Sequence, residues 1–371
     1  MRIIRNKTLD TGQAARLLPH RIEIIESKEM LMTNRFALGL VLVPLVVVGA
    51  CSQEPADSDD TLVIYSSRHY DSDYALYEAF TEATGVEVEV VEADGDLLIE
   101  RVKADGDSNP PDVIITVDSG RLWKADQEGL FASTSSDLLN ERVPEAMRHP
   151  DGNWYGISSR ARVLVYATDR VDESELTGYE SLANEAFAGR VCARSSGNIY
   201  NISLLSALID RWGEERAQDW ASKVAGNFAR DPQGGDSDQI RAVAAGECDI
   251  ALVNSYYYAR MALGTDDDVS GVAVYWPEAD PGVHVNISGA GVSANARNPE
   301  LAKQFIEFAV SDEAQKLFPE LTSEYPAVAS VTYDNAVLDQ LGTFKADPLD
   351  GTTIGSRQEE AQRLFDRAGW P

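Results

Sequence analysis

The sequence predicts an α/β protein of two lobes, built from mainly parallel sheets and joined by strands that cross between the lobes. Two observations support this fold class. Short apolar runs alternate with helical patterns between residues 61 and 131, and they do so again between 165 and 275. The chain has 371 residues, of which 44% are hydrophobic, and this is enough for two ordinary cores.

The first lobe begins with a β-α-β-α-β-α pattern, which indicates a parallel sheet. Asp71 or Ser72 is expected to cap the first helix and Ser119 the third, because such side chains accept hydrogen bonds from free amides. Gly85 and Gly129 are expected to end these two helices. Strands are predicted at 62–65, 86–90 and 113–117, with a further helix at 97–103.

Two strand-like pieces on either side of Ser159-Arg160, at 154–158 and 162–166, predict the crossing to a second α/β unit. That unit has strands at 190–194 and 249–255 and helices at 201–212 and 214–224. Strands at 273–276 and 283–292 return the chain to helices at 299–310 and 312–317. Lobe 1 is therefore predicted over 61–158 and 277–330, lobe 2 over 159–276, and a C-terminal extension packing on a lobe over 331–371.

The amino terminus is typical of an export signal. Arg35 precedes an apolar stretch over 36–48, which is too short for a comfortable membrane span. Cys51 follows Gly49-Ala50, as in a bacterial lipobox, although an ordinary signal with a chance cysteine would look similar. We expect residues 1–50 to be a signal region, with a start at Met30 or Met32, and 51–60 to be a tether. The body would then lie in the periplasm or cell envelope, held to the membrane only by a lipid on Cys51.

The net charge excludes two classes of binding partner, and the two cysteines of the body predict a disulfide. The formal net charge of −29 repels nucleic acid and anionic lipid, so we expect neither as a partner, and we expect a monomer. Outside the cytoplasm disulfides persist. Cys192 and Cys248 precede Tyr200 and Tyr256 by eight residues each, and we expect them to pair; two buried free thiols are the alternative.

Enzyme signatures are absent from the sequence. It contains no His-Glu-x-x-His, Cys-x-x-Cys, Gly-x-Ser-x-Gly or phosphate-binding loop motif. The whole chain has four histidines, which argues against a histidine-rich catalytic metal centre. We therefore expect a binding protein rather than an enzyme.

Tyrosines follow three predicted strands. His69-Tyr70 follows the first, Tyr200 follows the strand at 190–194, and Tyr256-Tyr257 closes the strand at 249–255. In open α/β sheets, ligands bind outside the carboxyl ends of the strands. Phenolate is a hard oxygen donor, which suits a hard, highly charged cation such as ferric iron. Packing in the core or on the surface is the alternative for each tyrosine.

Charge balance extends this hypothesis. Four phenolates around Fe³⁺ leave one net negative charge, and a buried charge requires a partner. Arg160, between the two crossing pieces, and Arg260, four residues beyond Tyr256, are the predicted partners. Surface ion pairs are the alternative for both arginines.

The motifs Ser66-Ser67-Arg68-His69-Tyr70, Ser195-Ser196-Gly197-Asn198-Ile199-Tyr200-Asn201 and Asn254-Ser255-Tyr256-Tyr257 resemble the periplasmic ferric-ion-binding proteins of ABC importers, most closely the cyanobacterial type. The resemblance covers roughly residues 61–335. It implies a type II periplasmic-binding-protein fold, Fe³⁺ held between the lobes, and delivery to an ABC permease. It also implies that the iron ligands are Tyr70, Tyr200, Tyr256, Tyr257 and, as a fifth, His69. Tyr258 is then a structural neighbour of the ligands.

Several alternatives stay open for the ligand and the function. Some relatives in this family add a carboxylate and a synergistic anion, and the acidic loop Glu92-Ala93-Asp94-Gly95-Asp96 has no clear match to that carboxylate. The same fold could bind ferrous iron, an oxyanion held by arginines, or a polyamine held by aromatic and acidic groups. A metalloenzyme or an iron-storage protein are the rivals from other classes.

Overall fold

The structure, a computed structural model, describes residues 61–279, 282–348 and 350–371. The predicted signal region over 1–50, the lipidation site Cys51 and the tether over 51–60 lie outside the described residues. Within the described ranges, no helix has both the length and the apolar character needed to span a membrane.

In the described part of the chain, nine strands are linked by one long strand, β4, that belongs to two sheets. The first half of β4 pairs with β8 in a first sheet, and its second half pairs with β6 and β7 in a second sheet. The strands are β1 Thr61–Ser66, β2 Glu87–Glu92, β3 Val113–Val117, β4 Tyr155–Ala167, β5 Val191–Cys192, β6 Ile250–Asn254, β7 Val272–Tyr275, β8 Val285–Val292 and β9 Tyr325–Pro326.

The two-sheet α/β fold agrees with the prediction, but the strand pairing is mixed rather than mainly parallel. β1 pairs in parallel with β2 and β3, and β5 with β6. The other pairings are antiparallel: β3 with β8, and β4 with β6, β7, β8 and β9. The two predicted pieces at 154–158 and 162–166 are one strand, since Ser159 and Arg160 stay paired with Ile287 and Asn286.

Helices connect the strands and cover the sheets. Helices α5 and α8 each begin after a strand of the second sheet has ended, so their first residues lie at the edge of that sheet. The helices are α1 Asp71–Thr84, α2 Gly95–Asp105, α3 Ser119–Gln127, α4 Asp137–Arg142, α5 Ile199–Trp212, α6 Glu214–Gly226, α7 Asp236–Ala244, α8 Ser255–Leu263, α9 Pro299–Ala309, α10 Asp312–Leu317, α11 Ala336–Leu341, α12 Gly351–Ser356 and α13 Gln358–Ala368. Short 3₁₀ helices occur at Glu145–Met147, Glu173–Glu175, Tyr179–Ala183 and Glu185–Phe187, and a π-helical turn at Phe318–Thr322.

Two predicted helix caps are wrong by one residue or more. Helix α1 begins at Asp71 with Tyr70 as its N-cap, and the Tyr70 amide donates to the Asp73 carboxylate at 2.8 Å. Helix α3 begins at Ser119, and its N-cap is Asp118, whose carboxylate accepts from the Gly120 amide at 2.8 Å. In α3 the N-cap carboxylate accepts from an amide of the first turn, whereas in α1 the carboxylate of the third helical residue accepts from the N-cap amide.

Both sheets are covered on both faces, so the core has four apolar clusters. Helices α1, α9 and α10 pack on one face of the first sheet and α2 and α3 on the other. The second sheet lies between α5, α6 and α13 on one face and α7 and α8 on the other. The extension beyond 331 contacts both parts, because α12 packs on α3 and α5 while α13 packs on α5 and α6. The division into lobes at 61–158, 159–276 and 277–330 stays a prediction.

A disulfide ties the two parallel strands of the second sheet. Cys192 on β5 and Cys248, just before β6, are bonded, with Cα atoms 5.9 Å apart. We expect thiol titration of the denatured, unreduced protein to find neither cysteine free. Replacing both by serine should lower the free energy of unfolding by about 2–4 kcal/mol, because the unfolded chain regains the freedom of the closed loop. Two reactive thiols without reductant would contradict the pairing.

Candidate metal centre

Every predicted tyrosine ligand lies at the start of a helix that follows a strand. Tyr70 is the N-cap of α1, and Tyr200 is the second residue of α5. Tyr256 and Tyr257 are the second and third residues of α8, directly after β6. The strict alternation of a strand does not apply in a helical turn, so two adjacent phenols can face the same space.

The four phenols converge between the two sheets. The phenol oxygens of Tyr70 and Tyr256 are 3.3 Å apart, although Tyr70 follows the first sheet and Tyr256 the second. The rings of Tyr256 and Tyr257 lie 4.2 Å apart between centroids. Tyr200 is close enough to Tyr70 for the charge of Tyr70 to raise its pKa, and close enough to Tyr256 for a hydrogen bond that lowers its pKa. Three chain segments far apart in sequence thus bring four hydroxyl groups together.

Burial keeps Tyr200, Tyr256 and Tyr257 neutral in the absence of a cation, because it raises the pKa of each phenol. It raises the pKa of Tyr256 well above the ordinary value for a phenol, and neighbouring Tyr200 and Tyr70 raise it further. Burial likewise raises the pKa of Tyr257 and, despite the opposing effect of Arg160, that of Tyr200. A cation must therefore displace protons in order to bind here.

His69 lies at the edge of the phenol cluster. Its side chain is exposed and stacks on the Tyr70 ring, with centroids 5.3 Å apart. It lines a cleft of about 660 Å³ together with Tyr70, Tyr200 and Tyr257. Among the described residues, no group of three or more His, Cys, Asp or Glu side chains could hold a metal ion.

The acidic loop contributes Asp94 and Gly95 to the same cleft. Asp94 lines it, whereas Glu92 accepts a hydrogen bond at 2.6 Å from the hydroxyl of Tyr74. Tyr258, the third tyrosine of the run, donates to the Val272 carbonyl at 3.0 Å. Its hydroxyl thus serves the packing of α8 on β7, as expected from the sequence.

Both predicted arginines lie beside the phenols, in different settings. Arg160 is 2% exposed, and its guanidinium carbon lies 5.5 Å from the Tyr200 ring centre. Arg260 is exposed, and its guanidinium carbon lies 6.0 Å from the Tyr70 ring centre. Arg160 donates through Nη1 to Ser288 at 2.8 Å, but its Nε and Nη2 are buried and have no hydrogen-bond partner among the described residues.

Sequence reasoning missed a buried ion-pair network behind Tyr70. Arg68 is 1% exposed, and it lies 2.7 Å from Asp73 and 2.7 Å from Glu324. Its guanidinium carbon is 5.2 Å from the Tyr70 ring centre. Although burial alone would raise the pKa of the Glu324 carboxyl, Arg68 and Arg160 hold it below its usual value. Removing one partner would leave a buried charge unpaired, so this network holds Tyr70 firmly in place.

A second missed residue serves the other sheet. Arg162 on β4 donates to Asp236 and Asn201 at 2.7 Å each, and to Asn254 at 3.2 Å. These three partners lie at the beginnings of α7, α5 and α8. One guanidinium thereby holds together the helix starts that carry Tyr200, Tyr256 and Tyr257. The only local signal was an arginine inside an apolar strand.

Residues 108–343 match the family of bacterial extracellular solute-binding proteins. The chain belongs to this family. Iron uptake protein A2 of Synechocystis sp. is 44% identical to this solute-binding protein over 342 residues, which cover 90% of this chain and 97% of the relative. The major ferric iron-binding protein of Neisseria meningitidis serogroup B is 29% identical over 339 residues, covering 88% and 97%.

Solved structures support the same relationship. A Trichodesmium protein, described as IdiA or FutA in complex with iron and citrate ligands, superimposes with a TM-score of 0.80. It is 46% identical, and the match covers 84% of this chain and all of that one. Two predictions are therefore confirmed: the type II periplasmic-binding-protein fold, and the resemblance to the cyanobacterial type of ferric-ion-binding protein.

Proposed function

We propose that this periplasmic solute-binding protein captures Fe³⁺ in the cleft between its two sheets and delivers it to an ABC permease. The convergence of four phenols carries this proposal. We assign Tyr70, Tyr200, Tyr256 and Tyr257 as ligands, with His69 as a fifth. The names of the relatives, an iron uptake protein and a ferric iron-binding protein, support iron as the cargo.

The phenols are assigned to binding the ion and the two arginines to balancing its charge. Phenolate is a hard donor and prefers Fe³⁺ to softer or less charged ions. Arg160 and Arg260 are proposed to offset the negative charge that four phenolates leave on the bound ion. No covalent chemistry is proposed, because the relatives are named as uptake and binding proteins.

One observation favours an oxyanion near the iron. The two unpartnered donors of buried Arg160 face no acceptor among the described residues, and guanidinium binds carboxylate or carbonate well. The Trichodesmium structure is described as a complex with iron and citrate ligands. A synergistic anion therefore fits this site, either as a companion of iron or, in the rival proposal, as the cargo itself.

Equilibrium dialysis distinguishes these cargoes. We expect the purified monomer to retain one equivalent of iron from ferric citrate, and little iron from a ferrous solution kept reduced. Radiolabelled phosphate or spermidine, offered without iron, should not be retained. Retention of either of these, with no retention of ferric iron, would replace the proposal by an anion or polyamine carrier on the same fold.

Attachment to the membrane through Cys51 is a separate proposal that rests on the lipobox-like sequence. In a bacterial host, the protein should fractionate with membranes, and Cys51→Ser should release it to the soluble fraction. An unchanged distribution would mean that Cys51 carries no anchor.

A further inference from the structure

Asp118 combines two unfavourable features in one buried residue. It is fully buried, and its φ angle is +81° with ψ at 127°, a conformation that residues with a side chain rarely adopt. Its charge is also removed from water, which is costly unless the carboxylate is well satisfied. Strained, buried polar residues that persist in a fold are candidates for a functional role.

The contacts of Asp118 join four separate elements. Its carboxylate caps α3 through the Gly120 amide and accepts from the Asn286 side chain on β8 at 2.8 Å. Gln358, at the start of α13, donates to it at 3.2 Å. The hydroxyl of Ser203 on α5 lies 2.7 and 2.8 Å from its two oxygens. Capping α3 requires only the contact with the Gly120 amide. The contacts with Asn286, Gln358 and Ser203 therefore have a different role.

The contact with Ser203 bears directly on the phenol cluster. Ser203 lies three residues after Tyr200, so both side chains occupy one face at the beginning of α5. Asp118 follows β3 of the first sheet, whereas α5 follows β5 of the second. The Asp118–Ser203 contact is therefore a direct link between the two parts of the molecule, one turn away from a proposed ligand.

Close packing keeps the link in place. A Cβ atom on Gly120 would lie 1.5 Å from Nε2 of Gln358, so Gln358 can reach Asp118 only because residue 120 has no side chain. The same Gln358 nitrogen also lies 3.1 Å from the Ser203 hydroxyl. The start of the C-terminal helix thus closes over the Asp118–Ser203 pair and shields it from water.

We propose that Asp118 is a positioning residue for the metal centre, which through Ser203 fixes the turn of α5 that carries Tyr200. This rests on the proposed function, since it assigns Tyr200 to iron. The Asp118–Ser203 contact fixes the distance between Tyr200, which follows the second sheet, and Tyr70, which follows the first. Losing it leaves all four phenols present but lets one of them move.

Ser203→Ala tests this role, and Ser206→Ala is its matched control. Both serines are buried on α5, but the Ser206 hydroxyl donates only to the Ile202 carbonyl within the helix, at 2.9 Å. Ferric affinity, measured in competition with citrate, should fall about tenfold or more in Ser203→Ala, as for the loss of a hydrogen bond to a charged group. It should stay unchanged in Ser206→Ala. Both iron-free variants should still unfold cooperatively, with the lower melting temperature in Ser203→Ala because the buried Asp118 carboxylate loses a donor.

A double-mutant cycle separates positioning from general weakening. If Ser203 acts through Tyr200, Ser203→Ala should cost no further affinity in a Tyr200→Phe background. Equal affinities of Ser203→Ala and Ser206→Ala, or a full additional loss in the Tyr200→Phe background, would overturn the positioning role while leaving the iron site intact. A wild-type protein that binds no ferric iron would instead overturn the proposed function, and the positioning role with it.

Discussion

Tyr256→Phe is expected to weaken ferric iron binding by more than about a hundredfold without unfolding the protein. Residues that merely orient metal ligands cost about 10–100-fold when they are changed, so loss of a direct ligand should cost more. Tyr256 is the most buried of the four phenols and the one that contacts Tyr70 across the cleft. The ring remains in the variant, so the packing against Tyr257 is kept. Competition against citrate measures the affinity.

Tyr258→Phe is the matched control for this variant. It removes a hydroxyl from the same helix, two residues further on, but that hydroxyl donates to the Val272 carbonyl and not to the cluster. We expect wild-type affinity with a small loss of stability, of about 1 kcal/mol for one hydrogen bond. Equal affinities in Tyr256→Phe and Tyr258→Phe would remove Tyr256 from the ligand set.

Iron affinity should also fall steeply as the pH is lowered. Burial raises the pKa of Tyr200, Tyr256 and Tyr257 above the value of about 10 for a free phenol, so all three are protonated at neutral pH when iron is absent. Iron binds the deprotonated form, so each of these phenols releases one proton on binding. Below the raised pKa values, three such phenols make the affinity fall about a thousandfold for each unit of pH decrease.

Proton release upon binding measures this linkage directly. A pH indicator in weakly buffered solution reports the protons released when ferric citrate is added at pH 7. The chelator contributes its own protons, but its contribution is the same for every variant. We therefore expect Tyr200→Phe to release one proton fewer than the wild type at saturation. An identical release would show that Tyr200 is not deprotonated by iron.

The elements of the first sheet were predictable because each one is signalled locally. The predicted alternating and apolar runs of four or five residues match β1, β2 and β3 closely, and those of β2 and β3 follow a glycine and two prolines. The crossing strand β4 was harder to predict. Ser159 and Arg160 look like a break in an apolar pattern, yet both are buried. The Arg160 side chain donates to Ser288, which lies 128 residues away in the sequence.

The candidate ligands were predictable for a related reason, since each follows a recognisable strand. Their supporting residues were not. Arg68 and Glu324 are 256 residues apart, and no local pattern pairs them. Asp118 could be read only as a polar residue next to a helix start, because its partners on α5, β8 and α13 are fixed by tertiary structure. The helix caps were misplaced for the same reason, since single residues near a helix start offer several equivalent caps.

The visible absorption spectrum of the purified protein, titrated with ferric citrate, tests the central claim most directly. We predict a broad phenolate-to-iron charge-transfer band that saturates at one equivalent of iron. The band should be lost or strongly shifted in Tyr200→Phe and Tyr256→Phe, and retained in Tyr258→Phe. A folded wild-type protein that shows no band would contradict a tyrosinate-bound ferric ion in this cleft. A band that is unchanged in both ligand variants would contradict the assignment of Tyr200 and Tyr256 as ligands.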